Sequence, residues 1–185
     1  MNEIYPYSGK VTRCNTGEVT LDEHFDLRLS EVASTSQLKL IDLSKKNMGV
    51  YWAPTLPIEW KDLSQTEKSE LVANKEFEIE VEAIYCRSEI GLVELKEIVQ
   101  FNEIKRLHIH QSTLSNDDLR YLKGLVHLNC LLLRGMQFTD ECIKYLCGCR
   151  SLSILDVFET SIGVEGEMNL KKHLPACEIY SSNTC

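Results

Sequence analysis

The chain has 185 residues, 43% of them apolar and 26% charged, with a formal net charge of −8. That is chain enough for one core, or for one stack of repeats with a capping region, and the composition is that of a folded protein rather than a disordered one. Acidity without a basic stripe argues against nucleic acid or an anionic membrane as the main partner, whereas a basic protein would be steered toward it.

The N-terminus reads Met1-Asn2-Glu3-Ile4-Tyr5-Pro6, with no basic segment followed by an apolar one, so no targeting signal is expected. The longest apolar runs, such as Cys130 to Leu133, are too short to span a membrane. Eight cysteines without a leader are expected to stay reduced, which makes the expected location cytoplasmic.

Residues 1–37 read as an N-terminal, mainly β cap. Lys10 to Cys14 and Glu18 to Leu21 flank Asn15-Thr16-Gly17, a three-residue hairpin turn with glycine where a left-handed residue is needed. Phe25, Leu27 and Leu29 then alternate with Asp26 and Arg28, the period of a strand with one apolar face.

Residues 38–79 read as an irregular first repeat. Leu38, Ile41 and Leu43 set an L-x-x-L-x-L spacing, and the next unit begins only at Glu80, so the segment carries an insert. The insert holds Tyr51, Trp52, Pro54, Pro57 and Trp60, and its prolines predict an irregular loop. Ser64-Gln65-Thr66-Glu67 is a capping box, which predicts a helix to about Lys75.

Residues 80–180 carry a countable repeat. Ile104, Leu128 and Leu152 are 24 apart, as are Leu107, Leu131 and Leu155, then Ile109, Leu133 and Val157, then Leu114, Phe138 and Ile162. Leu119 matches Ile143, Leu122 matches Leu146 and Leu170, and the register runs on to Ile179. One unit earlier it persists except at Glu80, where Val81 can supply the apolar contact. Each unit predicts a short strand, then a short helix. Ser115 ahead of Asp117 and Asp118, and Thr139 ahead of Asp140 and Glu141, mark helix starts; Gly124 and Gly148 mark ends. The last helix should stop at Leu174-Pro175, leaving residues 181–185 as a fraying polar tail.

Three units in full register resemble leucine-rich repeats, whose period lies in the 20–29 range. The match is closest to repeats of bacterial type, on Gln137-Phe138-Thr139-Asp140, Thr160-Ser161-Ile162 and Leu174-Pro175-Ala176-Cys177. The inward polar position of such repeats falls here on Ser88, Ser112, Met136 and Thr160, and Met136 departs from the pattern. The resemblance implies an α/β solenoid with a parallel β-sheet on its concave face and helices on its convex face. It implies a binding scaffold, and no reaction.

On that fold the residues between the inward ones form three columns: Glu82, Arg106, Cys130, Ile154; then Ile84, His108, Leu132, Asp156; then Cys86, His110, Arg134, Phe158. Exposed apolar groups mixed with arginine and aromatic rings are the composition of a protein-binding patch. The expected partner-binding residues are therefore Ile84, Arg106, His108, His110, Leu132, Arg134, Ile154, Asp156 and Phe158. The alternative is that the N-terminal block or the aromatic insert covers them. Tyr51, Trp52 and Trp60 are secondary candidates, either as anchors for a partner or as a plug at the seam. His108-Ile109-His110 puts two imidazoles on one face, with Cys86 expected beside His110, a weak signal for a metal or acid–base cluster. Cys147-Gly148-Cys149 is not a redox C-x-x-C, and Cys149 stands where Leu125 and Phe101 stand, in the core; Cys142 and Cys147 are expected to face outward. Catalytic residues, metal and cofactor are each expected to be none. The expected function is a non-catalytic protein–protein interaction module, in its sharper form an intracellular inhibitor or immunity-type protein against a basic toxin or effector. An adaptor or scaffold is the runner-up, and a Cys/His-dependent enzyme or metal-binding protein is the rival of a different class.

Overall fold

The 24-residue register becomes a ladder of parallel strands. The computed structural model describes residues 18–22, 25–28, 48–55, 62–74, 78–86 and 89–184. Its central sheet is built from β3 (Met48–Thr55), β4 (Glu78–Cys86), β5 (Arg106–Ile109), β6 (Cys130–Leu133), β8 (Ile154–Asp156) and β10 (Glu178–Tyr180). Their spatial order is β10-β8-β6-β5-β4-β3, parallel from β4 to β10, with β3 antiparallel to β4 at one edge. Between the strands lie helices α1 (Gln65–Asn74), α2 (Leu92–Ile98), a 3-10 helix (Asn116–Gly124), α3 (Ile143–Leu146) and α4 (Val164–His173). A second, short parallel pair joins β7 (Gly135–Thr139) to β9 (Thr160–Ser161).

The core sits between the strands and these helices. Leu107, Leu131 and Leu155 face each other rung by rung and are fully buried. So are Ile104 and Leu128, Ile109 and Leu133, and Phe138, with Leu119, Leu122, Leu146 and Leu170 from the helical side. Each buried leucine contributes roughly 1.5–3 kcal/mol, so a row of them fixes the register far more strongly than any single hydrogen bond. The units from β5 onward repeat the same backbone rung: Cys130 N–H to Lys105 C=O at 3.0 Å, Ile154 N–H to Asn129 C=O at 3.1 Å, Glu178 N–H to Ser153 C=O at 2.8 Å.

Side chains tie the helix starts together as well. Thr139 accepts from Glu141 N–H as the cap of its helix and also from Asn116 Nδ2 at 2.9 Å, while Thr139 N–H donates back to Asn116 Oδ1 at 3.0 Å. In the next unit Asp140 Oδ1 accepts from Gly163 N–H at 2.8 Å. The predicted box at α1 is present: Glu67 accepts from Ser64 N–H at 2.8 Å, and Ser64 Oγ from Glu67 N–H.

Several expectations are corrected. β4 meets β5 one residue out of the 24-residue register: Ala83 is opposite Arg106, Ile84 opposite Leu107 and Cys86 opposite Ile109. Because side chains alternate, a one-residue shift exchanges the two faces. Ile84 and Cys86 therefore lie in the core, fully buried, and Tyr85 takes the place expected of Ile84. The proline-bearing insert is not irregular at Met48–Thr55, which is strand β3 with Pro54 inside it. β3 occupies the sheet edge, where a missing N–H is tolerated. β1 (Glu18–Asp22) pairs antiparallel with β2 (Phe25–Arg28); the expected partner Lys10 to Cys14 and its turn lie outside the described residues, as do Leu38 to Leu43, Trp60 and Ser88. Met136 is not inward but 67% exposed, and Cys142 is not outward but fully buried. The tail does not fray at its start: Ser181 is buried and its hydroxyl donates to Glu167, and Asn183 Nδ2 donates to Ile162 C=O at 3.0 Å.

Candidate functional site

The sheet face turned away from the helices brings most of the predicted residues together. Arg106, Cys130 and Ile154 form one row, and His108, Leu132 and Asp156 the next, each residue opposite its neighbour in register. His110, Arg134 and Phe158 continue the third, with Arg134 N–H bonded to Ile109 C=O at 2.9 Å. Ile84 and Cys86 do not belong to these rows, for the reason given above. Tyr51 and Trp52 stand on β3 opposite Ala83 and Val81, so this part of the insert joins the same sheet rather than forming a loop beside it.

The face is not the uniformly open surface that strand alternation suggests. Its middle row is withdrawn from water: His108, Leu132 and Asp156 are all buried. Arg106, Arg134, Ile154 and Phe158 are half-buried, and His110 is exposed. Charge is held in a fixed arrangement here. Arg134 Nη2 donates to Asp156 Oδ2 at 2.7 Å, and the guanidinium lies 5.5 Å from the centre of the Phe158 ring. The other oxygen of Asp156 accepts from Phe158 N–H at 2.9 Å. One buried carboxylate thus sets both the arginine and the turn that carries the phenylalanine. Beyond that turn Glu159 adopts φ 58°, and its C=O accepts from Gly135 N–H.

His108 is the most perturbed titratable group of the face. Burial lowers its pKa to about 3, helped by the positive charges of His110, Arg106 and Arg134, so it is neutral at ordinary pH. Its ring packs against Tyr85 at 4.0 Å between centroids, and the His110 ring stands 6.4 Å away. Cys86 points the other way, into the core, where burial pushes its thiol up to about 12. The pairing of Cys86 with His110 is therefore not formed. Among the described residues, no three histidine, cysteine or acidic side chains are grouped as a metal would need. Cys149 is in the core as expected, and burial raises it to about 11.

Where β5 and β6 end, the backbone opens into a cleft of ≈ 370 Å³. It is lined by Glu89, His110, Gln111, Ser112, Arg134, Gly135 and Gln137. Gln137 Nε2 donates to Ser112 C=O at 2.9 Å, which ties the loops of two units. Gly135 has φ +138°, so glycine is required by the backbone; a β-carbon there would also meet the end of the exposed Gln137 side chain, which can shift aside. Sequence reading did not find this cleft. Its signal was Gly135, directly after the arginine of the third row.

No helix among the described residues is long and apolar enough to cross a membrane. No protein-family model matches the chain, and no curated protein matches it. Among solved structures, a leucine-rich repeat protein of Leptospira interrogans is similar at 22% identity and a TM-score of 0.35. The similarity covers 45% of this chain and 21% of that one, so it reaches only about a fifth of that protein.

Proposed function

We propose that this chain is a non-catalytic protein-interaction module of leucine-rich-repeat type, and that its partner sits on the sheet face away from the helices. The observation that carries the reading is the Asp156–Arg134–Phe158 arrangement. An aromatic ring and an oriented guanidinium, both half-buried, stand together at the end of the strand rows. Such pre-set arginine and aromatic groups carry a disproportionate share of binding energy in protein interfaces. The geometry of Cys86 and His108 gives no support to the enzyme reading: one is a raised thiol in the core, the other a buried neutral imidazole. The finer role is inhibitor, with adaptor as the second reading.

The test is capture of the partner followed by titration of variants. Phe158→Ala should weaken binding by about 2–4 kcal/mol, roughly 30- to 1000-fold, with melting unchanged. Arg120 and Lys144 lie on the helical side, exposed, and their alanine variants should bind as wild type. The reverse outcome, normal binding by Phe158→Ala and failure of the helical pair, moves the working surface to the helices. Loss of the partner's activity on binding separates inhibitor from adaptor.

A further inference from the structure

We infer that the outer edge of β10, with the flank of α4 beside it, is a contact surface for a second copy of this chain, paired about a two-fold axis. β10 ends the central sheet. Glu178 N–H donates to Ser153 C=O, and Tyr180 C=O accepts from Val157 N–H, each at 2.8 Å. Alternate residues of a parallel strand turn their backbone groups to opposite sides. The N–H and C=O of Ile179 therefore point away from β8, to a side where no strand follows among the described residues.

α4 presents an apolar flank at the same end. Its Gly166 stands against the Asp140 carboxylate of the preceding unit. At about 100° per residue, Val164 and Met168, two places before and after Gly166, lie on the opposite flank. They are 63% and 67% exposed. With Tyr180 they make up half of the six large apolar side chains that are exposed among the described residues, so the last unit concentrates them.

Complementarity selects a second copy as the occupant. In an antiparallel pair centred on Ile179, each copy's Ile179 gives its N–H to the other's C=O, which satisfies both groups on both sides. Glu178 then lies opposite Tyr180 of the second copy, a carboxylate and hydroxyl that already bond within one strand at 2.9 Å. The axis stands perpendicular to the sheet, so it keeps both α4 helices on one side and runs them antiparallel. The acidic first turn of one, with Glu165, comes beside the basic last turn of the other, with Lys172. Val164 and Met168 meet their counterparts between these ends. A uniformly basic or acidic partner would match only one end of α4.

The test measures the mass of the full chain by sedimentation over a concentration series. A monomer should give way to a dimer as concentration rises, and exchange of the Ile179 amide should slow in step. Met168→Glu, at an exposed site, should weaken the dimer about tenfold or more, with the melting of the dilute monomer unchanged. Ile179→Pro removes the outward N–H, leaves the bonds to β8, and should weaken it likewise. Val93→Glu, equally exposed but on α2, should change nothing. Glu165→Lys and Lys172→Glu should each weaken self-pairing several-fold, and mixing the two variants should restore it, because each reversed charge then meets its opposite. A single-chain mass at every concentration, growth past two chains, a dimer indifferent to Met168→Glu and Ile179→Pro, or mixing that restores nothing overturns the inference. None of these readouts involves the captured partner, so the partner face stands or falls separately.

Discussion

A buried neutral histidine makes stability depend on acid in a calculable way. His108 has its pKa lowered to about 3 in the folded protein, chiefly by burial and then by His110, Arg106 and Arg134. In the unfolded chain it titrates near the ordinary value of about 6.5. Above that value neither state is protonated and the group contributes no pH dependence. As pH falls from about 6.5 toward about 3, the unfolded chain takes up a proton that the folded one refuses, so stability is lost with acid. The slope is about 1.4 kcal/mol per pH unit, which makes the loss about 2 kcal/mol between pH 7 and pH 5. His108→Gln removes the titration but keeps a polar side chain. Urea unfolding at both pH values should show the wild type losing about 2 kcal/mol more than the variant, whatever the variant's own stability. Carboxylates titrating in the same range cancel in the comparison. Parallel stability curves would refute the assignment of His108 as a buried neutral group.

Other outcomes follow from the packing. Leu131→Ala should destabilise by about 2–5 kcal/mol, because the site lies fully between two strands and the helices, while exposed Lys123→Ala should stay within about 0.5 kcal/mol; equal effects in urea titrations would sink the register. Thiol labelling should count eight free cysteines after denaturation. In the native protein Cys86 and Cys142, both pushed up to about 12, should resist alkylation longest, and half-buried Cys147 should react before them. Removing residues 181–185 should cost about 1–3 kcal/mol, because Glu167 keeps Lys171 but loses the Ser181 hydroxyl, and the Ile162 carbonyl loses the Asn183 amide. An unchanged melting temperature would return these residues to the status of a loose tail.

The repeat was legible because parallel strands bury one face at a fixed interval, and Leu107, Leu131 and Leu155 announce it. The end strand was harder. In Glu78–Cys86 apolar residues occupy both alternations, Ile79, Val81, Ala83 and Tyr85 on one and Ile84 and Cys86 on the other. Pattern alone cannot choose between two apolar faces; pairing with Leu107 and Ile109 does. The site was legible in part for a related reason. Alternation says on which side His108, Leu132 and Asp156 lie, but not how deep, and all three are buried. The Arg134–Asp156 pair joins neighbouring strands, and its spacing of 22 residues lies outside any local rule. Pro54 misled because a proline excludes a central strand and not an edge one.

The one-residue offset between β4 and β5 sets rules for lengthening the chain. From β5 to β10 each unit bonds only to its neighbours through rungs of identical form. A duplicated block of 24 residues inserted after residue 128 would add one strand, extend the sheet by about 4.8 Å and leave every other rung unchanged. The same block placed at the β4–β5 joint would meet β4 across the one-residue offset that β5 meets now, and β5 would follow it in the regular spacing. Growth by duplication thus needs only the 24-residue spacing that runs from β5 onward, and the offset joint is passed once however many units follow it.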